Sequence, residues 1–319
     1  RYILMSLLVI YVKIDLTYIS RSVYGIAEKG VRDLTGNKKQ QKRGINMPTT
    51  YAHYRFGKEV TEALPRGLQN TIEYHRDLYD IGLHGPDILF YYKALKSHPV
   101  NQQGHTVHEN FADTFFEHAV SVIEKAEDPT AARVYIYGVI CHFALDSECH
   151  PYIEKMIRES GISHCELEME FDRMLMSDDF INPVRHLNTK HIHPTMRNAK
   201  IIAPFFEDVT PEEMQRSLKS MIFYHKLFLV PEPAKRKALF MAMKAIGKYD
   251  ALHGIVMSLE PNPACREYCM LLKRLYAGAV PLAASLILQF QKRLFNGQQL
   301  PERFHRTFGA GTDWEKLRL

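Results

Sequence analysis

Five cysteines in 319 residues, an odd number with no Cys-x2-Cys pair, are too few and too scattered for a disulfide framework or a thiolate-rich zinc site. They read as thiols in a reducing compartment, and the sequence favours the cytoplasm. Period-two alternation flanked by turn pairs is missing, which argues against a sheet-built domain. There is no phosphate-binding Gly-rich loop, no Gly-x-Ser-x-Gly nucleophile elbow, no His-Glu-x2-His and no His-Asp dipeptide, and the chemistries that those motifs serve are disfavoured with them. A carboxylate-bridged di-iron bundle needs two Glu-x2-His motifs, and only Glu302 to His305 has that form. Long hydrophobic runs are scarce too. Tyr2 to Val12 is apolar for 11 residues before Lys13 and Asp15, too short for a membrane span and without the basic start and cleavage site of a signal peptide. No other segment approaches transmembrane length.

Positive charge sits at one end. Residues 1–46 carry nine Lys and Arg against three acids, a net of +6, so the whole chain's +5 leaves −1 for the remainder. The basic balance therefore predicts no stable nucleic-acid partner. This extension reads as a leader or as translation from upstream of Met47. The other 273 residues suffice for one large domain: a catalytic core over 47–194 and a C-terminal region, 195–319, that completes or covers it.

Helical periodicity runs almost throughout, and the fold class is all-α. Helices are expected over 51–64, 67–79, 86–96, 104–126, 130–147, 151–160, 163–176, 195–206, 211–229, 233–247 and 264–295, the last broken near Pro281. Pro151 is expected to end one helix near Cys149 and so to turn His150 away from the face that bears His142 and Asp146.

What the chain does have is imidazole beside carboxylate. His142, Asp146, His150, His164 and Glu168 form His-x3-Asp-x3-His, a gap, then His-x3-Glu. Residues four apart on a helix stack on one face with Cβ atoms roughly 6 Å apart, so each pair makes a two-toothed clamp. Such pairs arise by chance about twice in a chain of this make-up; this one has four, at His105, His142, His150 and His164. Apolar neighbours such as Val139, Ile140 and Phe143 make charged groups there costly unless they are paired or bound to metal. His and carboxylate donors suit a catalytic zinc site that keeps a position for water. The lone pair His191 and His193 reads as a solvated loop. Other histidines, among them His75, His84, His98, His118, His225 and His305, have no identifiable partner in the sequence.

CHFALDSECHPY (Cys141 to Tyr152) followed by SHCELEMEFD (Ser163 to Asp172) resembles the metal-binding core of the zinc-dependent phospholipase C proteins, relatives of the S1/P1 nucleases. MPTTYAHYRFG from Met47, LHGPDILFYY from Leu83 and GHTVHENF from Gly104 resemble further segments of that family, in its order. The resemblance implies a multi-helix phospholipase C-like fold and two or three zinc ions. One would rest on Asp87, His108, His142 and Asp146, a second on His150, His164 and Glu168, and a third on His53 with the shared Asp146. In the family's secreted members the third zinc also takes the free terminal amine, and here 46 residues precede Met47. His108 fits the family's apolar-His step better than His105 does. Asp87 would also orient or deprotonate the attacking water, although a helix-capping role suits it equally. The implied activity is metal-assisted hydrolysis of a phosphodiester. A phospholipid head group is the first substrate class and an S1/P1-type nuclease or 3′-nucleotidase the alternative; a non-enzymatic zinc-binding helical protein is the third reading.

Overall fold

The computed structural model describes residues 50–319; the expectations about residues 1–46 and about a terminal amine as a zinc ligand lie outside the described residues. Among the described residues there is no strand, only one isolated bridge between Phe111 and Thr307. Twelve α-helices follow one another: α1 Tyr51–Ala63, α2 Arg66–Tyr74, α3 Arg76–Gly82, α4 Pro99–Glu109, α5 Ala112–Lys125, α6 Pro129–Ser160, α7 His164–Asp178, α8 Met196–Ile202, α9 Pro211–Phe228, α10 Pro233–Ala245, α11 Tyr249–Leu252 and α12 Arg266–Asn296. The fold is all-α.

The central helix of the described residues is α6. Asp128 caps it by accepting from the Ala131 N–H, Pro129 occupies its first turn, and Gly161 at φ 72° closes it. Nearly every side chain from Ala131 to Leu145 is buried, because α1, α3, α5 and α12 all pack around it. It lies very close to α3. A Cβ on Gly82 would lie 2.2 Å from the Tyr135 carbonyl oxygen, and one on Gly138 would lie 2.3 Å from that of Tyr79. Only glycine on both helices permits this approach, and it brings the segment after α3 against His142.

Several boundaries differ from expectation. The break at His150 is absent: α6 runs through Pro151 to Ser160. An interior proline costs about 3 kcal/mol, and tertiary contacts on the last turns oppose that cost, with Arg158 over the Trp314 ring and Lys155 donating to the Glu315 carbonyl. The break at Pro281 is absent for a similar reason, since α12 buries Tyr276, Ala279, Ala283 and Ile287 on the core. That continuity corrects the expectation about membrane spans: Pro263–Asn296 is long and apolar enough to cross one, by length and composition alone. The 86–96 helix is a 3-10 turn, Gly85–Tyr91. The 104–126 helix divides at Asn110 and Phe111, and the 67–79 helix divides at His75.

Candidate metal centre

Five segments meet at the polar core of the domain. From α6, the positions 142, 146 and 150 drift by about 40° per four residues, so His150 stands about 80° around the axis from His142 without any break. That drift is what hands His150 to a different neighbourhood. The 3-10 turn supplies Asp87, α4 supplies His108, α1 supplies His53, and α7 supplies His164 and Glu168.

Asp87, His108, His142 and Asp146 each offer one ligand atom, and these atoms all lie within 4.8 Å of one another. His108 Nε2 is 2.9 Å from Asp87 Oδ1 and 3.7 Å from Asp146 Oδ2, while His142 Nε2 is 3.0 Å from Asp146 Oδ2 and 3.7 Å from Asp87 Oδ2. His150, His164 and Glu168 make the second such group, with Glu168 Oε1 at 3.0 Å from His164 Nε2 and 3.5 Å from His150 Nε2. His53 Nε2 lies 3.3 Å from Asp146 Oδ1, and its ring stacks on His142 at 4.5 Å. Among the described residues His53 and Asp146 form no separate group of three. His108, not His105, reaches these carboxylates; His105 lies against the Phe90 ring.

Backbone carbonyls fix which nitrogen of each ring is available. Nδ1–H of His108 donates to Gly104, that of His142 to Leu83 and that of His150 to Phe308, at 2.8, 3.2 and 3.0 Å. A carbonyl can only accept, so Nδ1 carries a proton and Nε2 is the nitrogen turned toward the cluster. Gly85 makes room for this arrangement. It has φ +46°, and a Cβ there would come within 2.4 Å of the His142 ring.

Burial favours the neutral imidazole at His108, but the carboxylates of Asp87 and Asp146 outweigh it and raise the pKa to about 10. At His150 the same opposition, burial against Asp146 and Glu168, ends at about 9. Burial pushes the Asp146 carboxyl up, and His142, His150 and His53 pull it well below the carboxylate range. The cluster thus binds positive charge strongly, as protons when nothing else is offered. Three of its buried atoms, His142 Nε2, Asp146 Oδ2 and His53 Nδ1, have no hydrogen-bond partner, a costly state that a cation would relieve. Imidazole nitrogen and carboxylate oxygen, with no thiolate among them, are donors that fit zinc.

Several supporting residues gave no signal in the sequence. Asp172, fully buried, accepts from the backbone N–H groups of Thr50, Tyr51 and Ala52 at 3.3, 3.0 and 2.8 Å, and so anchors the start of α1 that aims His53. Phe308 contributes the carbonyl on His150 and packs its ring 5.7 Å from His108. Nor are the remaining histidines without partners. His84 Nε2 is 2.7 Å from His191 Nε2, so residue 191 is no solvated loop position, and the His191 ring stacks on Tyr54 at 4.0 Å. His98 caps α4, and His225 Nε2 meets the Tyr91 hydroxyl at 3.0 Å. His305 Nδ1 meets Asp113, and His118 reaches the Pro204 carbonyl.

A family model described as zinc-dependent phospholipase C matches residues 52–221, more than half of the chain. The chain belongs to that family, whose name marks dependence on zinc and suggests hydrolysis of phosphodiester bonds. Searches of curated proteins and of solved structures return no match.

Proposed function

We propose that this member of the zinc-dependent phospholipase C family hydrolyses phosphodiesters of phospholipids, releasing the phosphorylated head group from the diacylglycerol oxygen. The observation that carries the proposal is the pairing of two imidazole and carboxylate groups around buried atoms that make no hydrogen bond. Asp87, His108, His142 and Asp146 would hold one zinc; His150, His164 and Glu168 a second; His53 and Asp146 would contribute to a third. Zinc, when bound, supplies a water of lowered pKa and polarises phosphoryl oxygens. The chain's own residues do the rest. Nδ1–H bonds to Gly104, Leu83 and Phe308 hold Nε2 of three histidines toward the cluster, where a cation would take the place of their protons, and Asp87 orients the attacking water and takes its proton. Asp172 and Gly85 hold α1 and the Asp87 turn in place. A reducing compartment is the proposed place of action, on the odd and scattered cysteines of the sequence.

The test is metal analysis of the purified protein together with hydrolysis assays on a phospholipid and on single-stranded DNA. More than one zinc per chain, and phospholipid cleavage abolished by chelation, are the expected results. Less than one equivalent of tightly bound divalent metal would remove the proposal. Cleavage of DNA alone would move the substrate class to nucleic acid, and tightly bound zinc with neither activity would make the cluster structural.

A further inference from the structure

Residues Arg216 to Lys248 hold eight Lys and Arg and a single acid, Glu232. That is a net of +7 inside a stretch, 47–319, whose total is −1. The family match ends at residue 221, so most of this charge lies beyond it.

The charge is organised. On α9, Arg216, Lys219, Phe223 and Lys226 are all exposed, three or four residues apart, while Met214, Ser217, Leu218 and Met221 are buried. The second helix repeats the outer pattern: Lys237, Met241 and Lys244 are exposed, and Leu239 and Met243 are buried. Each helix therefore presents Lys-x3-apolar-x2-Lys, an apolar side chain standing between two cations one turn away on either side. Phe223 is 46% exposed and Met241 is 61% exposed. A bare phosphate backbone would be satisfied by the cations alone. A bilayer interface takes both, with the apolar chains below the head groups and the ammonium groups, on flexible stems, at the lipid phosphates.

The opposite face of α9 touches the candidate centre. Ser217 Oγ donates to the Ile88 carbonyl, and His225 meets the Tyr91 hydroxyl; both partners belong to the turn that carries Asp87. One helix, roughly 10 Å across, thus separates the cationic face from the turn of the centre.

We propose that the outer faces of α9 and α10 dock the protein on an anionic phospholipid surface. The inference rests on the phospholipid reading of the substrate and adds the surface that brings the protein to it. The experiment is co-sedimentation of the full chain with vesicles of phosphatidylcholine, with and without phosphatidylserine. Phosphonate lipids, in which carbon replaces the scissile ester oxygen, keep hydrolysis from altering the vesicles. Binding should be at least tenfold tighter to the anionic vesicles, and each double reversal, Lys219→Glu with Lys226→Glu or Lys237→Glu with Lys244→Glu, should cost about tenfold or more. Phe223→Ser with Met241→Ser should cost severalfold even at high salt, because an apolar contribution is not screened. All variants keep residues 1–46, so differences among them read this face alone. Equal binding to neutral and anionic vesicles, or reversal variants that bind like the parent, would overturn the proposal. Tighter capture of single-stranded RNA than of vesicles, lost in the same variants, would overturn it in favour of nucleic acid. Activity on a soluble short-chain phosphodiester, unchanged in the surface variants, separates the two claims: a chain with no such activity that still loses vesicle binding would remove the proposed reaction and leave the docking face standing.

Discussion

The two ligand groups differ in how they are built. Asp87, His108, His142 and Asp146 come from a turn, from α4 and from α6, are largely enclosed, and rest on carbonyls of Leu83 and Gly104. His150, His164 and Glu168 come from α6 and α7, which are joined by a three-residue link, and their side chains are 14%, 24% and 12% exposed, on average somewhat more than those of the first group. The first group is a product of long-range packing; the second is nearly a local hairpin. A cation in the first group would be better shielded from water and exchange more slowly than one in the second.

Asp146 belongs to both halves of that contrast, since its oxygens face His142 and His108 on one side, His53 on another, and His150 at 3.9 Å. Asp146→Asn keeps the shape and removes the charge, so it should lower activity by at least about 100-fold, beyond what outer partners of a metal ligand usually cost, and should strip more than one zinc by elemental analysis. Glu154→Gln and Glu166→Gln, close in sequence but outside both groups, should stay near the parent. Equal losses at all three positions would dissolve the distinction. Next in size, Glu168→Gln should lower metal affinity of the open group by about 10- to 100-fold while the enclosed group keeps its zinc, giving two clearly separated steps in a chelator titration. A single simultaneous loss would mean that the groups act as one cluster.

Backbone strain offers a sharper cut at the enclosed group. Gly85→Ala forces a Cβ into the His142 ring at φ +46°, so unfolding measurements should show about 1–3 kcal/mol of lost stability, with the enclosed group's metal weakened and the open group's retained. The smallest effect concerns acid. Burial lowers the His225 pKa from 6.5 to about 4. The unfolded chain therefore takes up a proton there first, and the neutral ring contributes stability that is complete above pH 6.5 and is lost as pH falls toward 4. His225→Gln retains a partner for Tyr91 but cannot titrate. Between pH 6.5 and 4 its Tm should fall less than the parent's, and identical slopes would show that His225 does not contribute.

The local hairpin was the legible part. His164 and Glu168 share a helical face because four residues make slightly more than one turn, and Ser163 caps that helix by accepting from the Glu166 N–H. Pro151 misled, since its preference against a helix at His150 is weaker than the packing that carries α6 onward. The enclosed group was legible as residue types, while the choice of His108 over His105 rested on the family resemblance alone. Both lie on α4, and only the way α4 crosses the Gly85–Tyr91 turn, with Gly104 against Phe90, turns His108 inward.

Local sequence by itself determined an all-α chain, two His-x3-acid clamps and a donor set suited to zinc, because helix periodicity and ligand chemistry act over a few residues. Tertiary structure alone decided the rest: the Gly82–Gly138 approach that sets Leu83 on His142, Asp172 holding α1 from 120 residues away, and the Phe308 carbonyl fixing His150 from 158 residues away. Those contacts depend on how helices cross in a packed core, and no spacing along the chain encodes a crossing between segments so far apart.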